Sequence, residues 1–302
     1  LFAMGFNFAL TPVIGPFIGR NEKDKAGAVM RSALFANIML ICMLTTFAVA
    51  FYFALPFFGQ PEELMPFMRP YLLVNICSIP FMVLGCQMKQ FFDTIGRTRI
   101  SMWVLVSSNV LNIIGNYIFI YGHCGMPEMG LTGAGLSTAL SRVVICLSFC
   151  LIFFLKKEFA VYKKGFVMAS KDAVKSNFKH LNGLGWTSAL QATVECGAFS
   201  LVAIFVGWIG TKPLAAHQVM ITMSMFFYNI YLGIATAISI RVSHFVGLHE
   251  TKSIVEVTKS GFFIIITMAV CMIIPVFLLR HMVGSMFTAD EEVCRLVAIT
   301  II

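Results

Sequence analysis

Glu195 is the one charged residue between Leu181 and Gly210. A charged side chain at the middle of a bilayer costs on the order of 3 kcal/mol on insertion scales, so a carboxylate inside such an apolar run is kept for a task. Ser188, Gln191 and Glu195 fall at i, i+3 and i+7, which is one face of a helix. Desolvation favours the neutral acid and a bound cation favours the ionised one, so Glu195 can hold either a proton or Na⁺. That exchange is the chemical minimum for coupling an ion gradient to the movement of a second solute. The competing reading keeps Glu195 as a buried neutral acid bonded to a neighbour such as Gln191.

Other polar residues also sit inside apolar runs at helical spacing. Gln218, Thr222, Met225, Asn229 and Thr236 make one stripe, and Asn109, Asn112 and Asn116 make another. Thr138 and Arg142 lie one turn apart, and Asn7 and Thr11 precede Pro12 and Pro16, which can open the backbone ladder and bend a helix. The competing role for each amide or hydroxyl is bonding between helices. Arg142 either snorkels or pairs with a helix beyond the chain. Met225, Phe226 and Tyr228 can line a cavity with repackable contacts, core packing being the other role open to each. His217 stands near the external end of its run, a place for interfacial packing.

The elements that position these residues follow from composition. Of 302 residues 59% are hydrophobic and 12% charged, against about 25% charged in soluble domains, which places the chain among membrane proteins. The nine cysteines lie mostly within apolar runs without metal-ligand spacing, and His123-Cys124 is an isolated pair; they read as small buried hydrophobes. No cofactor is expected beyond a coupling ion.

Runs long enough to cross about 30 Å of hydrocarbon cover 33–57, 70–91, 100–122, 131–155, 183–209, 214–240 and 260–279. Residues 1–19 read as the end of another span and 293–302 as the beginning of one more, so the chain is expected to be an excerpt of a longer polypeptide. Alternate connections carry 17 of the 22 bases, with Arg69, Lys212, Arg280 and Arg295 on the opposite side and Arg142 within a span. The positive-inside rule makes the first set cytoplasmic and gives a multi-pass protein of the cell's inner membrane. Because the bases occupy connections, the net charge of +8 does not imply nucleic acid. In the longest connection, 156–182, Ser170 and Asp172 mark a helix start and Val174, Phe178 and Leu181 follow at helical spacing, the pattern of a basic amphipathic helix on the cytoplasmic surface or, failing that, a solvated linker.

Sliding the chain along itself by 228 residues aligns Gly5 with Gly233, Phe17 with Phe245, Gly19 with Gly247, Glu22 with Glu250, Arg31 with Lys259, Ser32 with Ser260, Phe35 with Phe263, and Glu62-Glu63 with Asp290-Glu291. One period holds six crossings, so the copies share an orientation and are related by an axis along the membrane normal, an arrangement of transporters with the substrate site at the repeat interface. The expected fold is all-α: two six-helix lobes of a twelve-helix transporter, seen from the end of the second helix to the start of the tenth. Residues 1–155 form the N-lobe, 156–182 an amphipathic linker and 183–302 the C-lobe.

The segments LQATVECGAFSLVAIFVGWIGTKPLAAHQV, NVLNIIGNYIFIYG, GLTGAGLSTALSR and FDTIGRTR closely resemble the multidrug and toxic compound extrusion (MATE) antiporters. The resemblance spans essentially the whole chain. It implies export of organic cations and amphipathic drugs against Na⁺ or H⁺ entry by a protein expected to be monomeric in the bilayer. Glu195 matches the acidic residue of the seventh helix in the drug/sodium branch, where it belongs to the C-lobe cation site, expected here to take Na⁺ as its metal. Asn112 and Asn116 match the N-lobe polar pair, and Thr138 falls near an assisting hydroxyl for which Ser137 is an equally good match. Many relatives carry Asp where Asn116 stands, and commonly Pro at the position of Trp186. Coupling-ion ligands are therefore expected among Glu195, Gln191, Asn112, Asn116 and Thr138, and cavity-lining residues among Gln218, Thr222, Met225, Tyr228 and Asn229. The architecture is shared by lipid-linked precursor flippases, which need a more cationic cavity; Arg142 is the one candidate for that. An embedded enzyme would need clustered acid, base or metal ligands, and a channel would need rings of charge or carbonyls.

Overall fold

The computed structural model describes residues 2–58, 65–123, 125–288 and 290–300. Glu62, Glu63, Cys124 and the outermost residues of the two terminal runs lie outside them. Among the described residues every regular element is helical: α1 (Phe2–Phe8), α2 (Leu10–Gly19), α3 (Lys23–Ala54), α4 (Met65–Thr94), α5 (Thr98–Tyr121), α6 (Gly130–Leu155), α7 (Ala160–Met168), α8 (Lys171–Ile209), α9 (Thr211–Leu248), α10 (Thr251–Leu278), α11 (Arg280–Val283) and α12 (Glu291–Thr300). Each of the seven expected spans is present as a long apolar helix. The break at Ala9 has a cause in sequence: Pro12 has no N–H to offer the Phe8 carbonyl, so the ladder opens between α1 and α2.

Hydropathy underestimates helix length at the connection 156–182. The expected amphipathic helix does begin at Ser170, whose Oγ accepts from the Ala173 N–H at 3.2 Å. No proline follows before Pro213, however, and the helix runs on through the span as a 39-residue α8. At 1.5 Å per residue that is about 58 Å, nearly twice the hydrocarbon thickness, so a stretch of it stands outside the lipid. The connection 156–182 therefore holds a short separate helix, α7, and the first turns of α8, rather than one surface helix.

Residues Phe2–Ala189 form one compact unit and those from Leu190 onward another; the division falls within α8. The first unit has its densest core where α4, α6 and α7 meet. Phe92 stacks on Phe149 with centroids 5.4 Å apart, and Phe91 meets Phe153 and Tyr162 edge-on at 5.6 Å. Helix α7 lies almost in contact with the α3 backbone: a Cβ on Gly165 would stand 1.8 Å from the Asp24 carbonyl oxygen, and one on Gly27 2.1 Å from that of Tyr162. Arg31 on α3 donates to the Val167 carbonyl at 2.9 Å, satisfying an orphan acceptor at the end of α7. Large apolar side chains such as Phe47, Trp103, Trp208 and Phe263 are exposed, the surface expected where lipid replaces water.

The 228-residue repeat is written into the backbone of each unit. Asn21 and His249, which correspond, are the two non-glycine residues with positive φ among those described, at 59° and 57°. Glu22 N–H bonds the Phe17 carbonyl at 2.8 Å and Glu250 N–H that of Phe245 at 3.2 Å, while Asn21 and His249 N–H reach Ile18 and Val246. The two glutamates then accept equivalent side-chain bonds three residues on, from Lys25 Nζ at 2.9 Å and from Ser253 Oγ at 2.7 Å. Helices α3 and α10 begin at the corresponding residues Lys23 and Thr251.

Candidate functional site

In the first unit, α5 and α6 bring Asn112, Asn116 and Ser137 together. Ser137 Oγ donates to the Asn112 carbonyl at 2.8 Å and accepts from Asn112 Nδ2 at 3.3 Å, and Asn116 Nδ2 donates to Asn112 Oδ1 at 3.2 Å. Asn116 Oδ1 is buried and has no donor among the described residues. An unspent, preoriented amide oxygen is the kind of ligand a hard cation takes. Thr138 does not join: its Oγ1 donates back to the Ala134 carbonyl at 2.9 Å, so of the two hydroxyls the resemblance left open, Ser137 is the one in the cluster. A signal for this was present in sequence. Gly133, Ser137 and Ser141 form a small-residue stripe at every fourth position; Gly133 approaches the Phe119 carbonyl, and the Ser141 carbonyl accepts from Ser108 Oγ at 3.0 Å. Asn109 is exposed and stands apart.

A second polar seam joins α6 to α4. Arg142 Nη1 donates to Ser78 Oγ at 2.6 Å and to Asn75 Oδ1 at 3.2 Å. Both acceptors are themselves held, Asn75 Nδ2 by the Tyr71 carbonyl at 2.9 Å and the Ser78 hydroxyl by the Asn75 carbonyl at 2.7 Å. Arg142 is thus gripped inside the unit by two α4 side chains rather than snorkelling to its surface. Near the N-terminus, Asn7 and Asn37 exchange amide bonds at 3.1 and 3.0 Å, and Thr11 accepts from Gln90 Nε2 at 2.7 Å while sharing a 3.0 Å bond with Thr94. Those residues tie α1 and α2 to α3 and α4, the bonding role between helices.

In the second unit Glu195 projects from α8 on an exposed face, and among the described residues no base lies within ion-pair distance of it. Gln191, one turn earlier, is exposed and makes no bond to it. The Tyr228 hydroxyl of α9 lies nearby. Sequence reasoning placed Tyr228 in a cavity wall without pairing it to Glu195, although the two stand at similar distances on either side of the Gly210 turn. The α9 stripe shares one face, and its side chains bond their own helix: Thr222 Oγ1 to the Gln218 carbonyl at 2.8 Å, Asn229 Nδ2 to that of Met225 at 2.6 Å. Gln218, Thr222, Met225, Tyr228 and Asn229 are all exposed.

The sequence model of the MatE family matches residues 1–118 and 188–302. The chain is 26% identical over 296 residues to the multidrug resistance protein NorM of Vibrio cholerae, covering 98% of this chain and 64% of that protein. It is 27% identical over 273 residues to the probable multidrug resistance protein NorM of Photorhabdus laumondii, covering 90% and 59%. The chain thus spans about three-fifths of the length of these relatives. A solved outward-facing multidrug resistance MATE family transporter of the MOP superfamily shares the fold, with a TM-score of 0.83 at 21% identity over 99% of this chain and 66% of that one. The matched segments carry the Asn112–Asn116 pair in one and Glu195 with the α9 stripe in the other, and on that match the chain belongs to the MatE family of membrane transporters.

Proposed function

We propose that the protein is a multidrug exporter of the inner membrane that moves small organic cations and amphipathic compounds outward in exchange for Na⁺ or H⁺, by alternating access. Glu195 is the coupling carboxylate, with Tyr228 nearby on α9 and Gln191 one turn away to add an amide oxygen. The observation that carries this reading is a mid-span carboxylate left without a base, since such a charge is stable in lipid only when a proton or a cation occupies it. The orphan Asn116 Oδ1, with Asn112 and Ser137, offers neutral oxygens and no carboxylate, so its hold on a cation is the weaker of the two. The exposed face of α9 supplies adaptable Met, Tyr and amide contacts suited to chemically varied substrates. Thr138, bonded to its own helix, is left with a supporting part.

The test uses the full-length protein in vesicles with imposed sodium or pH gradients and a panel of fluorescent dyes. Gradient-driven efflux is expected from the wild type and none from Glu195→Gln, with the variant still monodisperse. Normal export by Glu195→Gln sinks the assignment of the carboxylate, and the gradient that drives the wild type names the ion.

A further inference from the structure

We infer that Arg142 is the anchor of an anion subsite in the first unit, one that takes the carboxylate of amphipathic or zwitterionic substrates. The inference rests on the export reading above. Arg142 lies near the middle of α6, about 18 Å from either end, and its partners Asn75 and Ser78 are likewise interior to α4. A guanidinium at that depth keeps its charge, and the penalty is met by a bundle interior or a water-filled cavity.

The two groups that hold Arg142 are neutral and engage only Nη1, leaving the rest of the five-donor fork without a partner among the described residues. The described carboxylates of residues 2–189 are Glu22, Asp24, Asp93, Glu128, Glu158 and Asp172, all at helix ends or in connections; Asp93 is taken by Lys89 at 2.9 Å and Glu158 by Arg97. None pairs with Arg142. The polar lining nearby is amide and hydroxyl; among the described residues Arg142 is the one charge in the middle third of this unit's spans, the buried Asp93 lying at the end of α4 and paired with Lys89.

The fork is also prepositioned. On either side of it α4 and α6 approach at glycines: a Cβ on Gly135 would meet Tyr71 at 2.9 Å, and one on Gly85 would meet Ile145 at 3.3 Å. With the Tyr71 and Ile145 side chains seated on those glycines above and below, and Asn75 and Ser78 each oriented by its own bond to α4, the side chain is fixed on one edge. Its other edge matches a carboxylate through paired N–H donors. A structural clamp alone would be served by Gln or Ser, without the expense of a mid-span charge.

The probe is a dye pair that differs in this group: rhodamine B, which carries a free carboxylate, and its ethyl ester, which does not. Binding of both to the full-length protein in lipid nanodiscs is measured by fluorescence polarisation. Wild type should prefer the acid by about tenfold or more, the ratio typical of a hydrogen-bonded charged group. Arg142→Gln should bring the ratio to about one, and Arg142→Lys should keep part of the preference. Equal affinity of the wild type for acid and ester overturns the inference, whether or not any variant folds, and is also the result if a carboxylate elsewhere in the full-length protein already occupies the fork. An unchanged ratio in Arg142→Gln overturns it too. Failure of both dyes to bind or be exported overturns the export reading instead, which separates the two failures.

Discussion

The α5–α6 contact at the N-lobe cluster can be tested by substituting Gly115 and Ser137, singly and together. A Cβ on Gly115 would stand 2.6 Å from Ser137 Oγ and 3.3 Å from Ser137 Cβ. Gly115→Ala therefore forces the hydroxyl away from Asn112, giving up bonds of 2.8 and 3.3 Å, or pushes the helices apart. Overpacking of this kind costs about 1–3 kcal/mol. Ser137→Ala loses the same two bonds; at about 0.6 kcal/mol each on average, and at most about 1.7, its cost is about 1–2 kcal/mol. In the double variant the oxygen that caused the clash is gone, and the new methyl meets the remaining Cβ at 3.3 Å, tight but tolerable. The double variant should be no more than a few tenths of a kcal/mol worse than Ser137→Ala, a coupling of about 1–3 kcal/mol. Thr138→Val, which removes only a bond to its own helix, should cost less than about 0.5 kcal/mol. The assay is unfolding of the full-length protein followed by tryptophan fluorescence. Additive costs for Gly115→Ala and Ser137→Ala would refute the contact, and a larger effect from Thr138→Val than from Ser137→Ala would reverse the assignment of the hydroxyl.

Three further outcomes are expected. Tyr228→Phe removes the hydroxyl in range of Glu195 and should shift the coupling-ion concentration for half-maximal efflux by about threefold to tenfold; an unchanged value breaks the pairing. Gly165→Ala drives a methyl into the Asp24 carbonyl, which no rotamer change can relieve, and should lower stability by about 1–3 kcal/mol, whereas Gly183→Ala, with nothing within 4 Å, should raise it by up to about 1 kcal/mol; like signs for the two in a melting experiment contradict the α3–α7 crossing. Asn37→Ala strands the Asn7 Oδ1 in a site where Asn7 is 2% exposed and should cost about 1–3 kcal/mol, while the Asn7→Ala/Asn37→Ala pair should cost less than the sum of the singles; strict additivity in chemical denaturation would dissolve the amide pair.

Features that depend on order along the chain were open to sequence. Hydropathy located the seven spans, and the 228-residue offset reappears as the matched φ of Asn21 and His249. Glu195 was conspicuous because a lone carboxylate in an apolar run needs no structure to be noticed. Helix ends were less legible, since the ladder of α8 continues into water where hydropathy falls silent. Which groups meet was settled only in three dimensions. Ser137 rather than Thr138 faces Asn112, Arg142 is gripped by Asn75 and Ser78, and Asn7 finds Asn37. The physical reason is that one residue turns a helix face by about 100°. A partner on another helix therefore depends on rotation and crossing, and these are set by where glycines let two backbones close up.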